Sequence, residues 1–506
     1  MTPETLLQEV SRFAAAVRNG GVEPEILRDA RRRTTDIIGI ALAASGMDPA
    51  RIVGGVIEGW GGEEQAGVIG RGERYPAASA ALMNGTLAHS LDYDDTHLPS
   101  VLHPSAAVVP AALAAAETSG ATGRDLLAAI AAGDELVVRV GMAGYDPALG
   151  NSIFFEKGLH ATSIAGTLGA ALAAAMLYGL GEEEISHAVA ISTSMGAGII
   201  EANRTGGTIK RIHCGWAAHA GVTAAELAVH GLTGPPTAFE GRFGFLRAYL
   251  DDRADAEALT RGLGESWEVT RTFFKPYPAN HFTHAGIDAA ITLREEGLDI
   301  GEIDEIELGV ASPVLRTIAR PEDEKARPKT GYAAQFSGPF TVATALVGGG
   351  GLGVSLDDFT DEDVDDPVKL DLASRVRCFA DEECNRIFPN QFPAVLRVRL
   401  KSGEVREARV SRNRGGPENP LSDEELEVKF RTNAGRVLAE QRVEALESAL
   451  QALEGSDSVG GVMRLAGTRG RSDPTGDTPE ANLPHTENRG GARALTTSRV
   501  LPGPPR

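Results

Sequence analysis

Cysteine is scarce in this chain. Three occur in 506 residues, Cys214, Cys378 and Cys384, and none form a CxxC pair. That spacing argues against a disulfide framework, and it points to a reducing, cytoplasmic compartment. Aromatic residues are also few, at 5%, whereas glycine is plentiful at 60. Helices in such a chain must approach one another through small side chains, with alanine filling much of the core. Positive charge is in deficit, with a formal net charge of -21. A nucleic-acid partner would need a basic face. An anionic substrate remains compatible, because the local charge of a pocket can oppose the global one.

Long hydrophobic runs are nearly missing. The opening stretch MTPETLLQEV is polar and has no apolar h-region, so no secretory signal is expected. The longest apolar run, SIAGTLGAALAAAMLYGL (163–180), has the length of a membrane span. Its Ala/Gly content and its isolation make it a buried core helix, and no membrane association is expected. HExxH, EF-hand spacing and the phosphate-binding GxxxxGKS/T do not occur either.

The hydrophobic pattern of residues 1–265 repeats at helical spacing, broken by Gly, Pro and polar caps, as in TLLQEVSRFAAAVRNG and GRDLLAAIAAGDELVVRVG. This predicts a large all-helical domain. From about 266 the texture changes. EIDEIELGVAS (302–312) alternates with period two, and AVLRVRLKSGEVREARV (394–410) does so around a KSGE hairpin turn. With helical stretches between them, these predict a smaller α+β domain over 266–415. Residues 422–453 read as helical again, opened by a capping box of Ser422 and Glu425, and are expected to pack back on the first domain. Residues 456–506, rich in Gly, Pro, Ser and Thr, are expected to be disordered. The fold class is therefore mainly α, with an α+β lid and a disordered C-terminal tail.

Histidines concentrate in a few punctuated stretches. NGTLAHSLDYDDTH (84–97) holds two histidines and three aspartates. If the preceding helix continues through it, His89, Asp92 and Thr96 share one face. Three readings stand side by side: a solvated acidic loop, a metal set such as His89, Asp92 and Asp95, or an acid/base site. DDTHL is also faintly similar to the DDxxD magnesium motif of prenyl-diphosphate enzymes. His103 precedes Pro104, with Ser105 placed to cap the next helix, and His160 stands at the mouth of the most apolar helix. Lys210, Arg211 and His213 follow a Gly-Gly turn, suited to binding a carboxylate or phosphate. Lys275, His281 and His284 lie where the two domains join. Each signal alone is equally compatible with surface charge or local capping.

Taken in order, NGTLAHSLDYDDTH…HPSAAVVPAALA, KGLHATSIAGTLGAALAAA, GGTIKRIHCGWAAHAG, KPYPANHFTHAGIDAA and RPKTGYAAQFSGPFTVATAL resemble the MmgE/PrpD family, from about residue 5 to 453. The resemblance implies a helical domain closed by a C-terminal helix, an α+β lid, a homodimer, no metal or organic cofactor, and a small polycarboxylate substrate. It assigns Asp92 and Thr96 of the DxxDT motif, His103 of HPS, His160 after KGL and Lys210 before RIH to catalysis. Lys275 of KPYP and His281 are assigned to substrate binding. Some decarboxylase members carry a histidine where this chain has Asn280, beside His281. Many relatives have a lysine and a tyrosine where this chain has Gln335 and Phe340. The activity implied is that of a 2-methylcitrate dehydratase-like hydro-lyase, with a cis-aconitate-type decarboxylase or a diacid isomerase or epimerase as alternatives. A magnesium-dependent prenyl-diphosphate enzyme and an inactive helical scaffold are more remote.

Overall fold

The computed structural model describes residues 4–467. Its helical part is a stack of apolar helices crossing at close range. Helices Gly123–Ala143, Ala161–Leu177 and His213–Val229 are lined by alanine and glycine, and every residue of Ala161–Leu177 is buried. Small residues set the spacing. A Cβ on Gly169 would lie 2.4 Å from Val137 Cγ2 and 2.5 Å from the Gly133 carbonyl oxygen. A Cβ on Gly215 would lie 2.2 Å from the carbonyl oxygen of Leu82, on helix Ala77–Ala88. Only glycine allows such backbone approach, and dense packing makes it favourable. The stack brings the C-terminus of Ala77–Ala88 together with the N-termini of Ala161–Leu177 and His213–Val229. Among the described residues no single helix is long and apolar enough to cross a membrane.

A second core is built on a four-stranded sheet with the spatial order Val376–Ala380, Ile303–Val310, Ala394–Leu400, Val405–Val410. Ile303–Val310 runs antiparallel to Ala394–Leu400 and parallel to Val376–Ala380. Helices His284–Glu295 and Gly338–Val347 supply apolar residues to this core. Both regions of alternating sequence are strands. Val376–Ala380 is a further strand that periodicity did not pick out, since its burial does not alternate.

Residues 422–453 form two main helices, Asp423–Ala434 and Glu440–Gln451, separated after Gly435. The Ser422–Glu425 capping box is present. The first helix packs on Pro24–Ala44, where Lys429 Nζ lies 2.6 Å from Asp36 Oδ1. The expectation of disorder from 456 is corrected for its first residues. Gly460–Ala466 is a helix with Val462, Met463 and Ala466 buried. The amides of Gly123 and Gly70 donate to the carbonyls of Ser456 and Ala466, each at 2.8 Å. These apolar contacts outweigh the local Gly/Ser composition. The rest of the expected disorder, from 468 onward, lies outside the described residues.

Candidate active site

Helix Ala77–Ala88 ends before the stretch 89–103 rather than running through it. Asp92 therefore does not share a helix face with His89 and Thr96, contrary to the expectation of a continued helix. The stretch folds instead as a buried loop. Thr96 and Phe273 exchange backbone hydrogen bonds of 2.9 and 2.8 Å, and His97 pairs with Leu102. All three aspartates are buried, so the loop is not a solvated acidic turn. Asp92 adopts a left-handed φ of 53°, a conformation that Asp tolerates better than most residues but that still needs support.

Two lysines supply that support. Lys275 Nζ donates to the backbone carbonyl of Asp92 at 2.6 Å and lies 3.6 Å from its Oδ2. Lys210 Nζ donates to Asp92 Oδ1 at 3.2 Å. Burial pushes the Asp92 carboxyl up, but the two ammonium groups prevail and hold it well below the usual carboxylate range. Burial pulls Lys210 down, yet Asp92 raises it further, so the ammonium persists. The side chains of Lys275 and Asp92 are 2% and 8% exposed, whereas those of Lys210 and His103 are 22% and 13% exposed. The solvent-facing side of the cluster is therefore formed by Lys210 and His103.

Four imidazoles lie in a row beside this group. The ring centroids of His89 are 5.3 Å from His103 and 5.6 Å from His160, and those of His160 and His213 are 4.9 Å apart. His160 occupies the N-cap position of Ala161–Leu177, and His213 opens the helix His213–Val229. Their Nδ1 atoms are 3.0 Å apart, so one donates and the other accepts. His103 Nδ1 lies 2.6 Å from the carbonyl oxygen of Asp95. A carbonyl only accepts, so Nδ1 carries the proton and Nε2 keeps its lone pair. Thr96 Oγ1 is 3.3 Å from the same nitrogen. Burial pushes His103 down to about 4, assisted by Lys275, and Asp94 opposes the shift. Burial takes His213 to about 4 and His160 well below its ordinary value. All three are neutral at neutral pH.

The loop is anchored from below. Asp95 accepts from Arg33 at 2.7 Å and from Ser105 Oγ at 2.6 Å, and Ser105 Oγ lies 2.9 Å from Asp134 Oδ2. One hydroxyl proton cannot serve both carboxylates. Asp134, pushed well up chiefly by burial, is the group that carries the additional proton. Ser105 thus ties the loop to Asp134 and does not cap its own helix. Lys429 Nζ donates to the Tyr93 carbonyl at 3.2 Å and stands 3.9 Å from the centroid of the Tyr93 ring, which links the C-terminal helical segment to the same loop.

The remaining expected residues are placed differently. His281 is buried against Phe273, His284 and Phe392. Neither of its nitrogens has a hydrogen-bond partner among the described residues. Asn280 turns its side chain back to accept from the Phe282 amide at 3.2 Å. Gln335 is buried, and its backbone carbonyl accepts from the Asn280 amide at 2.9 Å. Phe340 is fully buried in the sheet core, 6.5 Å from the Phe359 ring. Tyr332 escaped sequence reading, having no distinctive spacing. Its ring lies 5.0 Å from the Arg211 guanidinium, and Lys210 and Asp92 both act on its hydroxyl.

Asp94 also escaped sequence reading, because helical continuation points it away from the His89 face. His89 Nδ1 lies 2.7 Å from Asp94 Oδ2. With Cys214 they form the one cluster of potential ligands among the described residues, their atoms within 4.8 Å of one another. The set differs from the sequence-based one of His89, Asp92 and Asp95. The short His89–Asp94 bond already uses two of its atoms, and burial holds Cys214 well up, as an uncharged thiol. A cavity of 690 Å³ is lined by none of the cluster's groups. Its arginines already face carboxylates: Arg139 with Glu135, Arg253 with Glu156, Arg261 with Asp255 and Arg271 with Glu268.

Comparison with known proteins gives two family matches. The MmgE/PrpD N-terminal domain model matches residues 8–257, and the MmgE/PrpD C-terminal domain model matches residues 277–454. Cis-aconitate decarboxylase of Homo sapiens is 29% identical over 458 residues, covering 87% of this chain and 91% of the relative. The cis-aconitate decarboxylase-like protein oryM of Aspergillus oryzae is 27% identical over 485 residues, covering 92% and 98%. Cis-aconitate decarboxylase of Aspergillus terreus is 26% identical over 404 residues, covering 76% and 80%.

Proposed function

Because the chain belongs to the MmgE/PrpD family, we propose that it is a lyase of small polycarboxylates, and within that class a decarboxylase of an unsaturated tricarboxylate of the cis-aconitate kind. One observation carries this reading: two ammonium groups converge on buried Asp92 beside imidazoles kept neutral by burial. The activity named for the similar proteins supports the choice of decarboxylation over dehydration.

The chemistry follows from charge. The bond from a methylene carbon to its carboxylate breaks and CO2 leaves. The electron pair moves into a new double bond, and the old one shifts its electrons to the carbon next to another carboxylate. Lys210 and Lys275 hold the resulting enediolate-like charge. A proton from an imidazolium then closes that carbon. His103, neutral in the unliganded protein, gains this proton when several carboxylates enter beside it, because nearby negative charge favours its charged form. Asp92 keeps both ammonium groups in place, and Thr96 steadies His103. His160, next in the row, is the second group placed for proton transfer.

Dehydration next to a carboxylate is the second reading. The bare Nε2 of neutral His103 favours it, being a base ready for an α-proton. Incubation with cis-aconitate in 2H2O separates the two. Decarboxylation is expected to release one CO2 and leave a methylene diacid with one deuterium on the saturated carbon. Water loss from 2-methylcitrate without CO2 from cis-aconitate would replace this reading by the second. No turnover of either acid, with no shift in Tm at millimolar ligand, would overturn both.

We also propose a homodimer. Ile52, Val56 and Trp60 leave an apolar stripe exposed on helix Asp48–Trp60, and Trp60 and Trp216 both lie against His219.

A further inference from the structure

Asp94 lies between two of the imidazoles. Its Oδ2 is 2.7 Å from His89 Nδ1 and 3.8 Å from His103 Nδ1. Neither the Asp94 nor the His89 side chain has any exposed surface. Its other oxygen, Oδ1, has no hydrogen-bond partner among the described residues. A buried carboxylate with half its lone pairs unused acts strongly on nearby cations, since neither water nor further donors dilute its charge. Its strongest bond goes to His89, which faces both His103 and His160. His89 Nε2 has no partner among the described residues either.

We propose that Asp94 and His89 are positioning residues that together set the basicity of His103: a single buried carboxylate is shared by two imidazoles, and His89 holds it back from His103. The inference rests on the reading of His103 as a proton-transfer group. The surroundings of His103 explain why this sharing matters. From its own loop it meets Asp92, Asp94, Asp95 and Thr96. From the neighbouring helix ends it meets His89, His160 and Thr162, from the turn Ile209–Ile212 Lys210, and from the segment after 272 Lys275 and His281. Asp92 is already taken by the two lysines, and Asp95 by Arg33 and Ser105. Asp94 is the carboxylate left to stabilise a charged His103, and it is the group that opposes the downward shift of this residue.

The two residues should therefore act in opposite directions. In Asp94→Asn the counter-charge is gone. His103 should titrate lower by about one pH unit, or stay neutral to the lowest pH at which the fold survives. In His89→Phe the carboxylate loses its main donor and turns to His103, which should titrate higher by about one unit. His89→Gln keeps a donor within reach and should lie between wild type and the phenylalanine variant, which also covers the case in which the latter fails to fold. The measurement is 15N–1H imidazole NMR of the full chain, with His103 assigned by loss of its signals in His103→Gln. An Asp94→Asn midpoint equal to wild type, or shifts of the same sign in the Asp94 and His89 variants, would overturn the proposal. The alkaline limb of kcat/KM for the decarboxylation, where activity falls as His103 loses the proton it must donate, should follow the NMR midpoint. NMR shifts with an unmoved alkaline limb would uphold the sharing of Asp94 and remove His103 from the reaction, so the two ideas fail separately.

Discussion

Lys210 and Lys275 both reach Asp92 but through different atoms, and this separates their roles. Lys275 is buried and holds the carbonyl of a residue in a left-handed conformation. Lys275→Met should lower stability by about 1–3 kcal/mol, the cost of a buried acceptor left unmade, and should abolish turnover. Lys210 is partly exposed and bonds only the carboxylate. Lys210→Ala should leave Tm nearly unchanged and lower kcat/KM. Equal losses of Tm in both variants would refute this division. His103→Ala should reduce turnover by about 10²–10⁴, and wild-type rates would remove it from the site. Much at this scale was legible in the sequence. Asp92, Thr96, His103, Lys210 and Lys275 meet within hydrogen-bonding chains, and His160 stands in the row beside them. What stayed hidden was Asp94. A helix continued through 89–97 would turn it away, whereas the helix ends at Ala88 and the loop folds it back onto His89.

Glycine placement, rather than loop chemistry, fixes where the helix ends meet. Gly215 lies two residues beyond His213 and against the backbone at Leu82. Gly215→Ala should force the helices apart, cost about 1–3 kcal/mol in denaturant unfolding, and lower turnover by moving His213 and its partner His160. Wild-type stability would show that the crossing is looser than its geometry. The C-terminal helix Gly460–Ala466 is similarly structural. Truncation after Glu454 removes buried Val462 and Met463 and should cost on the order of 3–5 kcal/mol, read as a fall in Tm. The reach of sequence reading at this scale follows from the same physics. Helix and hairpin periodicities report local burial, so the Ala-rich helices and the pair Ala394–Leu400 and Val405–Val410 were legible. Val376–Ala380 pairs with a strand more than sixty residues away, and 456–467 is ordered by contacts with Gly70 and Gly123. Neither leaves a local pattern.

The whole molecule carries its histidines mostly buried and neutral, and acid stability should reflect this. Burial holds His97 and His284 at about 3 and His103 at about 4, below the ordinary 6.5. Their neutral forms are thus favoured by folding. Stability from this source is complete above pH 6.5 and is lost as pH falls toward 4, because the unfolded chain binds the protons first. Each such group costs up to about 1.4 kcal/mol per pH unit in that window. Asp36 and Asp288, raised to about 6 by burial, act oppositely between about 6 and 3.8, as do Asp95, Asp134, Glu135 and Glu226, also raised chiefly by burial; against them stand the lowered His97, His103, His160, His213, His219, His281 and His284. Denaturant unfolding at pH 7.0 and 5.5 should show a clear loss at the lower pH, and equal stabilities would refute neutral burial. On the same scale, Trp60→Glu should shift a dimer to monomer in sedimentation. An unchanged state would place the interface elsewhere.

The clamp on Asp92 bears on fragment complementation. Asp92 and Thr96 come from the first part of the chain, but the ammonium that holds the Asp92 carbonyl and the backbone that pairs with Thr96 come from Lys275 and Phe273. Lys429, later still, holds the next carbonyl, that of Tyr93. A cut near residue 265 would leave the N-terminal fragment with most of the imidazoles and with Arg33, Ser105 and Lys210 on the loop, but without the groups that hold the Asp92 and Tyr93 carbonyls and the Thr96 backbone. Activity would return only on mixing the two fragments, at a rate set by their encounter.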